Sequence, residues 1–364
     1  MTKIAITGAG GFLGLHLRAA ALESGFEVAA IPLGDRFDAV QAQESVEGAS
    51  RLIHLAGVNR GNEEDVANGN ARFASQLASV LKSCEDAPTE VVFANSIQAG
   101  NGTVYGTAKE GAAGTLGTAA DQAGATFSDV RLPNLFGEYG QPFYNSVVAT
   151  FSHMIAQGEA PEVQQDKELQ LLHAQNAADV LLGTVPETGL ESLSRRETVS
   201  RVKGLLEEFA QYYSAGEFPD LSTAFRRDLF NTYRAYTFPD SAPINVTRHA
   251  DQRGSFSEIV RSRGGTGQTS FSTTQPGITR GDHYHRRKVE RFTVLAGEAE
   301  IGLRRLFDDR VFTFRATGEE PKSVDMPTLY AHNIRNVGAD TLYTAFWTND
   351  IFDPTNPDTI PETV

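Results

Sequence analysis

Through the first two-thirds of the chain, short apolar runs alternate with longer helix-compatible stretches. Ile4-Ala5-Ile6 precedes residues 15–21, residues 28–31 and Leu52-Ile53-His54-Leu55. Residues 73–81, Val91-Val92-Phe93 and an Ala-rich stretch over residues 108–123 follow. Strand–helix alternation of this kind predicts a doubly wound parallel sheet with helices on both faces. Over residues 202–213 apolar side chains recur at spacings of three and four, which predicts a peripheral amphipathic helix.

The texture changes at Phe238-Pro239-Asp240-Ser241-Ala242-Pro243. Beyond this turn-rich break come short β-prone runs at 269–274, 292–295, 311–314 and 342–347, punctuated by Gly, Asn, Asp and Pro. That pattern predicts an all-β barrel or sandwich. The expected organisation is therefore two domains, 1–242 and 243–364, in keeping with a length of 364 residues.

Composition narrows the function classes. A formal net charge of -14 is a poor match to the phosphates of DNA or RNA. No apolar run approaches the roughly 18 residues needed to span a bilayer, and the chain opens into a strand-like run without a basic leader. The single cysteine, Cys84, excludes an intramolecular disulfide and a Cys-based zinc cluster. A cytoplasmic protein that contacts neither nucleic acid nor membrane is expected.

Thr7-Gly8-Ala9-Gly10-Gly11-Phe12-Leu13-Gly14 lies between the first strand and the first helix. Gly8 permits a tight turn, Gly11 lets backbone approach a pyrophosphate, and Gly14 allows close helix–strand packing; the helix N-terminus favours phosphate charge. A dinucleotide is the expected ligand. Asp35 lies near the spacing at which an acidic residue would bind a ribose hydroxyl, while the adjacent Arg36 could hold a 2′-phosphate, so NAD and NADP both remain open.

Tyr105-Gly106-Thr107-Ala108-Lys109 opens the Ala-rich helix, and a spacing of four puts Tyr105 and Lys109 on one helix face. A nearby ammonium is expected to lower the tyrosine pKa and make the phenol a usable proton donor. Ser96, just after Val91-Val92-Phe93, could donate a hydrogen bond to the same carbonyl oxygen.

With the glycine turn, Ser96 and the Tyr105–Lys109 pair in this order, residues 1 to about 240 resemble the extended short-chain dehydrogenases/reductases that act on nucleotide sugars. The resemblance implies a Rossmann-type fold, catalytic roles for Ser96, Tyr105 and Lys109, and a cofactor on Gly8, Gly11, Phe12, Gly14, Arg36, Leu55, Ala56, Gly57, Tyr105 and Lys109. Arg131-Leu132-Pro133-Asn134-Leu135-Phe136-Gly137 resembles the family segment between cofactor and sugar, which implies substrate contacts for Arg131 and Asn134. Two departures stand out: the Ser96–Tyr105 interval is short for an extended member, and Leu172-His173-Ala174-Gln175-Asn176 carries amides in place of an acidic pair.

In the second domain, His283 and His285 are two apart and so face one side of a strand. Glu290 can return on the next strand, and Pro327-Thr328-Leu329-Tyr330-Ala331-His332 supplies a third imidazole. Three imidazoles and a carboxylate suit zinc or another divalent metal. These two boxes resemble those of the cupin (jelly-roll) barrels, with Leu329 where the second box usually has Gly. Asp251-Gln252-Arg253-Gly254-Ser255-Phe256-Ser257-Glu258 is also similar to the opening of deoxyhexulose-type sugar-nucleotide epimerases, in which a histidine takes the ring proton and metal is often absent. His283 as a base therefore stands beside His283 as a ligand.

As a whole the chain resembles bifunctional enzymes of capsular polysaccharide synthesis, with a reductase followed by a cupin. This implies C3 epimerisation of a UDP-4-keto-2-acetamido-2,6-dideoxyhexose in the metal-binding barrel and NADPH-dependent C4 reduction in the first domain. Arg280 would meet the substrate's negative charge, the product would be an L-FucNAc precursor for capsule or O-antigen, and a homodimer would form through the cupin. The competing readings are a reductase whose barrel only dimerises, a non-catalytic NADP sensor and an iron oxygenase.

Overall fold

The computed structural model describes residues 2–364 and resolves into two compact units. The first comprises the chain up to Phe136 together with Glu168–Glu197. Its strands β1 (Thr2–Thr7), β2 (Phe26–Ile31), β3 (Arg51–His54), β4 (Glu90–Ser96) and β5 (Thr126–Leu132) form a sheet in the order β2-β1-β3-β4-β5, parallel throughout. Strand periodicity divides the side chains between two cores. Ala5, Leu52, Val91 and Phe93 pack with helices α2 (Ala39–Val46), α3 (Glu63–Ser83) and α4 (Val104–Gln122). Ile4, Ile6, Ile53 and Val92 pack on the opposite face against α1 (Phe12–Glu23) and α6 (Ala174–Leu182). Each Ile or Leu buried this way stabilises the fold by roughly 1.5–3 kcal/mol. A small sheet of β6 (Asn134–Phe136), β7 (Glu168–His173) and β8 (Arg195–Thr198), the last preceded by the short helix α7 (Leu190–Leu193), completes the unit's strands. The doubly wound expectation is met, and the carboxyl ends of β1, β3, β4 and β5 share one edge.

The second unit, Gly137–Lys167 with Thr198–Val364, carries helices α5 (Val147–Ala156), α8 (Val199–Ser214) and α9 (Ala224–Thr237) followed by strands. Helix α8 is the amphipathic stretch read from the sequence; Val202, Leu205, Leu206, Phe209 and Tyr213 are its buried stripe. Helix gives way to strand between Thr237 and Ile244, where the sequence changes texture.

One sheet has the order β12-β19-β14-β17-β9, made of β9 (Ile244–Asn245), β12 (Gln268–Thr274), β14 (Glu290–Ala296), β17 (Lys322–Met326) and β19 (Leu342–Thr348). The other has the order β16-β15-β18-β13-β20, from β13 (Thr279–Tyr284), β15 (Glu298–Arg305), β16 (Val311–Thr317), β18 (Tyr330–Asn336) and β20 (Ile360–Pro361). The pairings are antiparallel, and Phe292, Val294, Ile301, Leu303, Val324 and Ile334 from both sheets form one core. Strands β10 (Arg248–Asp251) and β11 (Gly254–Ser257) make a separate hairpin. This is the all-β barrel expected for the second half. Among the described residues no helix is long and apolar enough to cross a membrane.

Candidate active site and metal centre

Thr7, the last residue of β1, ties the glycine turn to its neighbouring strand. Its hydroxyl oxygen accepts from the backbone N–H of Leu55 at 3.1 Å and of Ala56 at 3.2 Å, and it lies 2.7 Å from Nδ1 of His54. Gly8 has φ +69, and a Cβ there would stand 2.9 Å from the Ala56 nitrogen; at Gly14 it would collide with the Gly8 carbonyl. Both glycines are therefore required by close approach. The turn closes through a 3.0 Å bond from the Gly11 N–H to the Gly8 carbonyl, and α1 starts at Phe12 with its N-terminal amides at the sheet edge. Buried Asn70 of α3 shapes Gly57 and Val58: its amide donates to the Val58 carbonyl at 2.7 Å and its Oδ1 accepts from the Val58 N–H at 3.3 Å.

Just beyond β2, Asp35 and Arg36 part company. Asp35 pairs with Arg72 at 2.8 Å, while Arg36 is exposed.

Ser96, Tyr105 and Lys109 converge at the ends of β4 and α4. Thr103 caps α4 by accepting from the Gly106 N–H at 3.0 Å, which sets Tyr105 and Lys109 on the first turns. Ser96 is hydrogen-bonded to the Tyr105 side chain. Lys109 is 5% exposed; its ammonium donates to the Ala94 carbonyl at 2.9 Å and sits 3.9 Å from the Phe93 ring centre.

The electrostatics differ from the sequence expectation. Burial lowers Lys109 to about 7, against the opposing charge of Asp129. Burial raises Tyr105, with only the Ser96 bond pulling the other way. The ammonium expected to acidify Tyr105 is instead held to Ala94 and Phe93, and desolvation wins. Tyr105 is consequently a protonated donor at neutral pH. His54, stacked on Phe93, is pushed down to about 3 by burial and then by Lys109, so it is neutral.

Asp129, on β5, was not singled out by the sequence. It accepts from the Asn95 amide at 2.6 Å and from Arg131 Nε at 3.4 Å, so Arg131 sits exposed on the same edge as Ser96. Asn134 is also exposed, with its amide donating to the Gln170 carbonyl at 3.1 Å. The signal for Thr7, Asn70 and Asn95 is slight, because single polar residues carry no periodicity.

In the barrel the structure gathers all four expected ligands. Facing atoms of His283, His285, Glu290 and His332 lie within 4.8 Å of one another. His283 and His332 are cross-strand partners on β13 and β18. A bulge at Asp282 (φ +57) shifts the register between Gly281 and His283. Because of it Arg280, paired with Ile334, lies on the same face as His283 although three residues away. Arg280 remains exposed. Leu329 adopts φ +64 while fully buried, so the turn is strained. Beneath it, buried Glu138 accepts from the Thr328 hydroxyl at 2.6 Å.

The donor set fits a divalent cation. His285 Nδ1 lies 2.5 Å from the Asp358 carbonyl, and His332 Nδ1 lies 3.1 Å from the Tyr330 carbonyl. A carbonyl only accepts, so both Nδ1 atoms carry hydrogen and both Nε2 lone pairs point inward. They meet Glu290 Oε2 at 2.9 Å and 3.2 Å. Lone pairs facing a carboxylate need a cation between them, a proton or a metal. Burial opposes the charge on Glu290, yet His285 holds it well below the usual carboxylate range. His285 is raised by Glu290 despite its burial, whereas burial lowers His332 and takes His283 to about 3.

Comparison with known proteins agrees with this architecture. The model of the NAD dependent epimerase/dehydratase family matches residues 4–187, just over half of the chain. The polysaccharide biosynthesis C-terminal domain matches residues 249–360. The chain is 30% identical to UDP-2-acetamido-2,6-beta-L-arabino-hexul-4-ose reductase of Pseudomonas aeruginosa, over 98% of this chain and 97% of that one. It is 31% identical to the capsular polysaccharide assembling protein CapF of Staphylococcus aureus, with a TM-score of 0.62 over 99% of this chain and all of that one. Spore coat polysaccharide biosynthesis protein SpsL of Bacillus subtilis is 28% identical over 31% of this chain and 81% of its own length. The chain thus belongs to the NAD dependent epimerase/dehydratase family, in a form that continues into a polysaccharide biosynthesis C-terminal domain.

Proposed function

We propose that this protein is a bifunctional nucleotide-sugar enzyme of capsule or O-antigen synthesis. It epimerises C3 of a UDP-4-keto-2-acetamido-2,6-dideoxyhexose in the barrel domain, residues 243–364, and reduces C4 in the domain formed by residues 1–242. The observation that carries the reading is the presence of a Ser–Tyr–Lys cluster and a buried His–Glu set on one chain that is 30% identical over 98% of its length to a hexul-4-ose reductase.

In the reduction, the Gly8–Gly14 turn would cradle the pyrophosphate of a nicotinamide dinucleotide, which would supply hydride for C4. Tyr105 gives its phenolic proton to the developing C4 alkoxide, and Ser96 donates a hydrogen bond to the same oxygen. Lys109 keeps a protonatable group one helical turn from Tyr105. Exposed Arg36 beside an Asp35 already engaged by Arg72 supports NADPH, because the guanidinium can meet a 2′-phosphate. Arg131 and Asn134 offer donors to the substrate at the same sheet edge.

In the barrel, His283, His285, Glu290 and His332 would hold zinc or another divalent ion, which offers Lewis-acid stabilisation of negative charge on a carbonyl oxygen. Arg280, on the His283 face, supplies a cation for the diphosphate. A second reading has one specific support: His283 is the half-buried member and makes no bond to Glu290, so its neutral ring could take the C3 proton itself. Edge strand β12 bears Phe271, 72% exposed, which supports a homodimer through this domain. A cytoplasmic site goes with NADPH and nucleotide-sugar substrates.

The test is incubation with a UDP-4-keto-6-deoxy-N-acetylhexosamine and NADPH in deuterated water, followed by NMR. Deuterium at C3 and a new carbinol at C4 are expected. Reduction without deuterium at C3 would make the barrel a structural or dimerisation module, and no turnover of either kind would return the chain to the sensor reading. Full C3 exchange by metal-free protein would favour His283 as base.

A further inference from the structure

We infer that Asp358 is a positioning residue for the metal site, holding the loop between His285 and Glu290 in ligand geometry from more than seventy residues away. The inference rests on the metal reading above. His332 is oriented from within its own strand, through the Tyr330 carbonyl. His285 has no such local partner, and its Nδ1 is held by the carbonyl of Asp358. The same residue's carboxylate gathers the next three backbone N–H groups. Oδ1 accepts from Arg286 at 3.0 Å, and Oδ2 accepts from Arg287 at 2.9 Å and Lys288 at 2.7 Å. Successive amides closing on one anion form a nest, and this one spans most of the five-residue step between two ligands.

Asp358 itself is 9% exposed and adopts φ +43, a conformation that turns the chain back along the loop. The flanking residues hold it there. Lys288 Nζ donates to the Pro357 carbonyl at 2.8 Å, β20 pairs Ile360 with Tyr284 and Pro361 with His283, and the Glu362 N–H donates to the Asp282 carbonyl at 3.0 Å. Both histidines of the first box are thus strapped by residues 357–362. A ligand loop with its amides satisfied and its imidazole tautomer set is pre-organised, which raises metal affinity without adding a ligand.

The test compares zinc affinity of the full chain, by competition with a chromophoric chelator, and the visible absorption of its cobalt(II) form. Asp358→Ala should weaken zinc binding about 10- to 100-fold and shift the cobalt bands; Asp358→Asn, which keeps one acceptor oxygen, should lose less. Lys288→Met loosens the same strap at Pro357 but leaves the nest and the His285 bond in place, so it controls for a merely structural role. Wild-type affinity and an unchanged cobalt spectrum in Asp358→Ala overturn the inference. So does an equal loss in Lys288→Met. A wild-type chain that takes up neither metal overturns the metal reading and this inference with it.

Discussion

At the edge of the parallel sheet, burial works on groups that would be cations: Lys109 falls to about 7 and His54 to about 3. In the barrel, burial works against a carboxylate, yet Glu290 stays ionised because two imidazoles face it. The first site sets a lysine whose charge burial disfavours and a protonated phenol beside a turn of backbone N–H groups, and those N–H groups suit an anionic ligand. The second has inward lone pairs around an anion and is short of positive charge. Under the proposed function, a phosphate-bearing dinucleotide and a divalent cation would be the corresponding ligands. The difference shows how one chain can select opposite partners: not by net charge, which is -14 overall, but by which groups are desolvated and which are paired.

The largest effect that separates the two sites belongs to Tyr105. Tyr105→Phe removes one hydroxyl, and keto-sugar reduction should fall by roughly 10²–10⁴. NADPH fluorescence titration should still report binding, and C3 exchange in deuterated water should persist. Near wild-type NADPH oxidation would remove Tyr105 from the mechanism. The reciprocal cut is His332→Ala, which should slow C3 exchange while leaving NADPH binding intact. Circular dichroism must show the variant folded; a folded variant exchanging at the wild-type rate would mean the barrel is not the epimerase.

Smaller effects sharpen the electrostatic contrast. Lys109 has a folded pKa of about 7 against an ordinary 10.5. Below pH 7 it is charged in both states and the folded protein bears the whole desolvation penalty. As pH rises from 7 towards 10.5 the folded state sheds the proton first, and that penalty is relieved. Lys109→Met should therefore raise the thermal midpoint relative to wild type more at pH 6 than at pH 9, while abolishing reduction. A pH-independent difference would show that Lys109 is not desolvated in solution.

The smallest effect concerns Leu329. Both Leu329→Ala and Leu329→Gly lose a buried side chain, but only Gly also relieves φ +64. Leu329→Gly should be the more stable of the two by about 1 kcal/mol, read as a higher denaturation midpoint. The reverse order would mean that the turn carries no strain.

That His283, His285, Glu290 and His332 would cluster was legible because each box is short: two histidines on one strand face, a carboxylate on the next strand, and a third histidine in a second box. The same holds for Gly8, Gly11 and Gly14 and for Tyr105 with Lys109, where a single turn or helix step sets the geometry. Thr7, Asn70, Asn95 and Asp129 were not legible. Each acts through one hydrogen bond to a segment distant in the chain, and an isolated polar residue looks the same on a solvated surface. The acidic Tyr105 expected from its spacing to Lys109 failed for a related reason, since spacing specifies proximity and not the solvent exposure of either group.

The alternation of apolar runs was enough to determine a doubly wound sheet followed by an all-β domain, because burial on one or two faces imposes its own period on the sequence. Local motifs likewise determined which residues could carry the chemistry. Tertiary structure alone decided that burial would lower the pKa of Lys109, that a bulge at Asp282 would bring Arg280 onto the face of His283, and that Asp358 would set the tautomer of His285. Desolvation, strand register and long-range hydrogen bonds depend on atoms brought together from far along the chain, and no local pattern of residues records them.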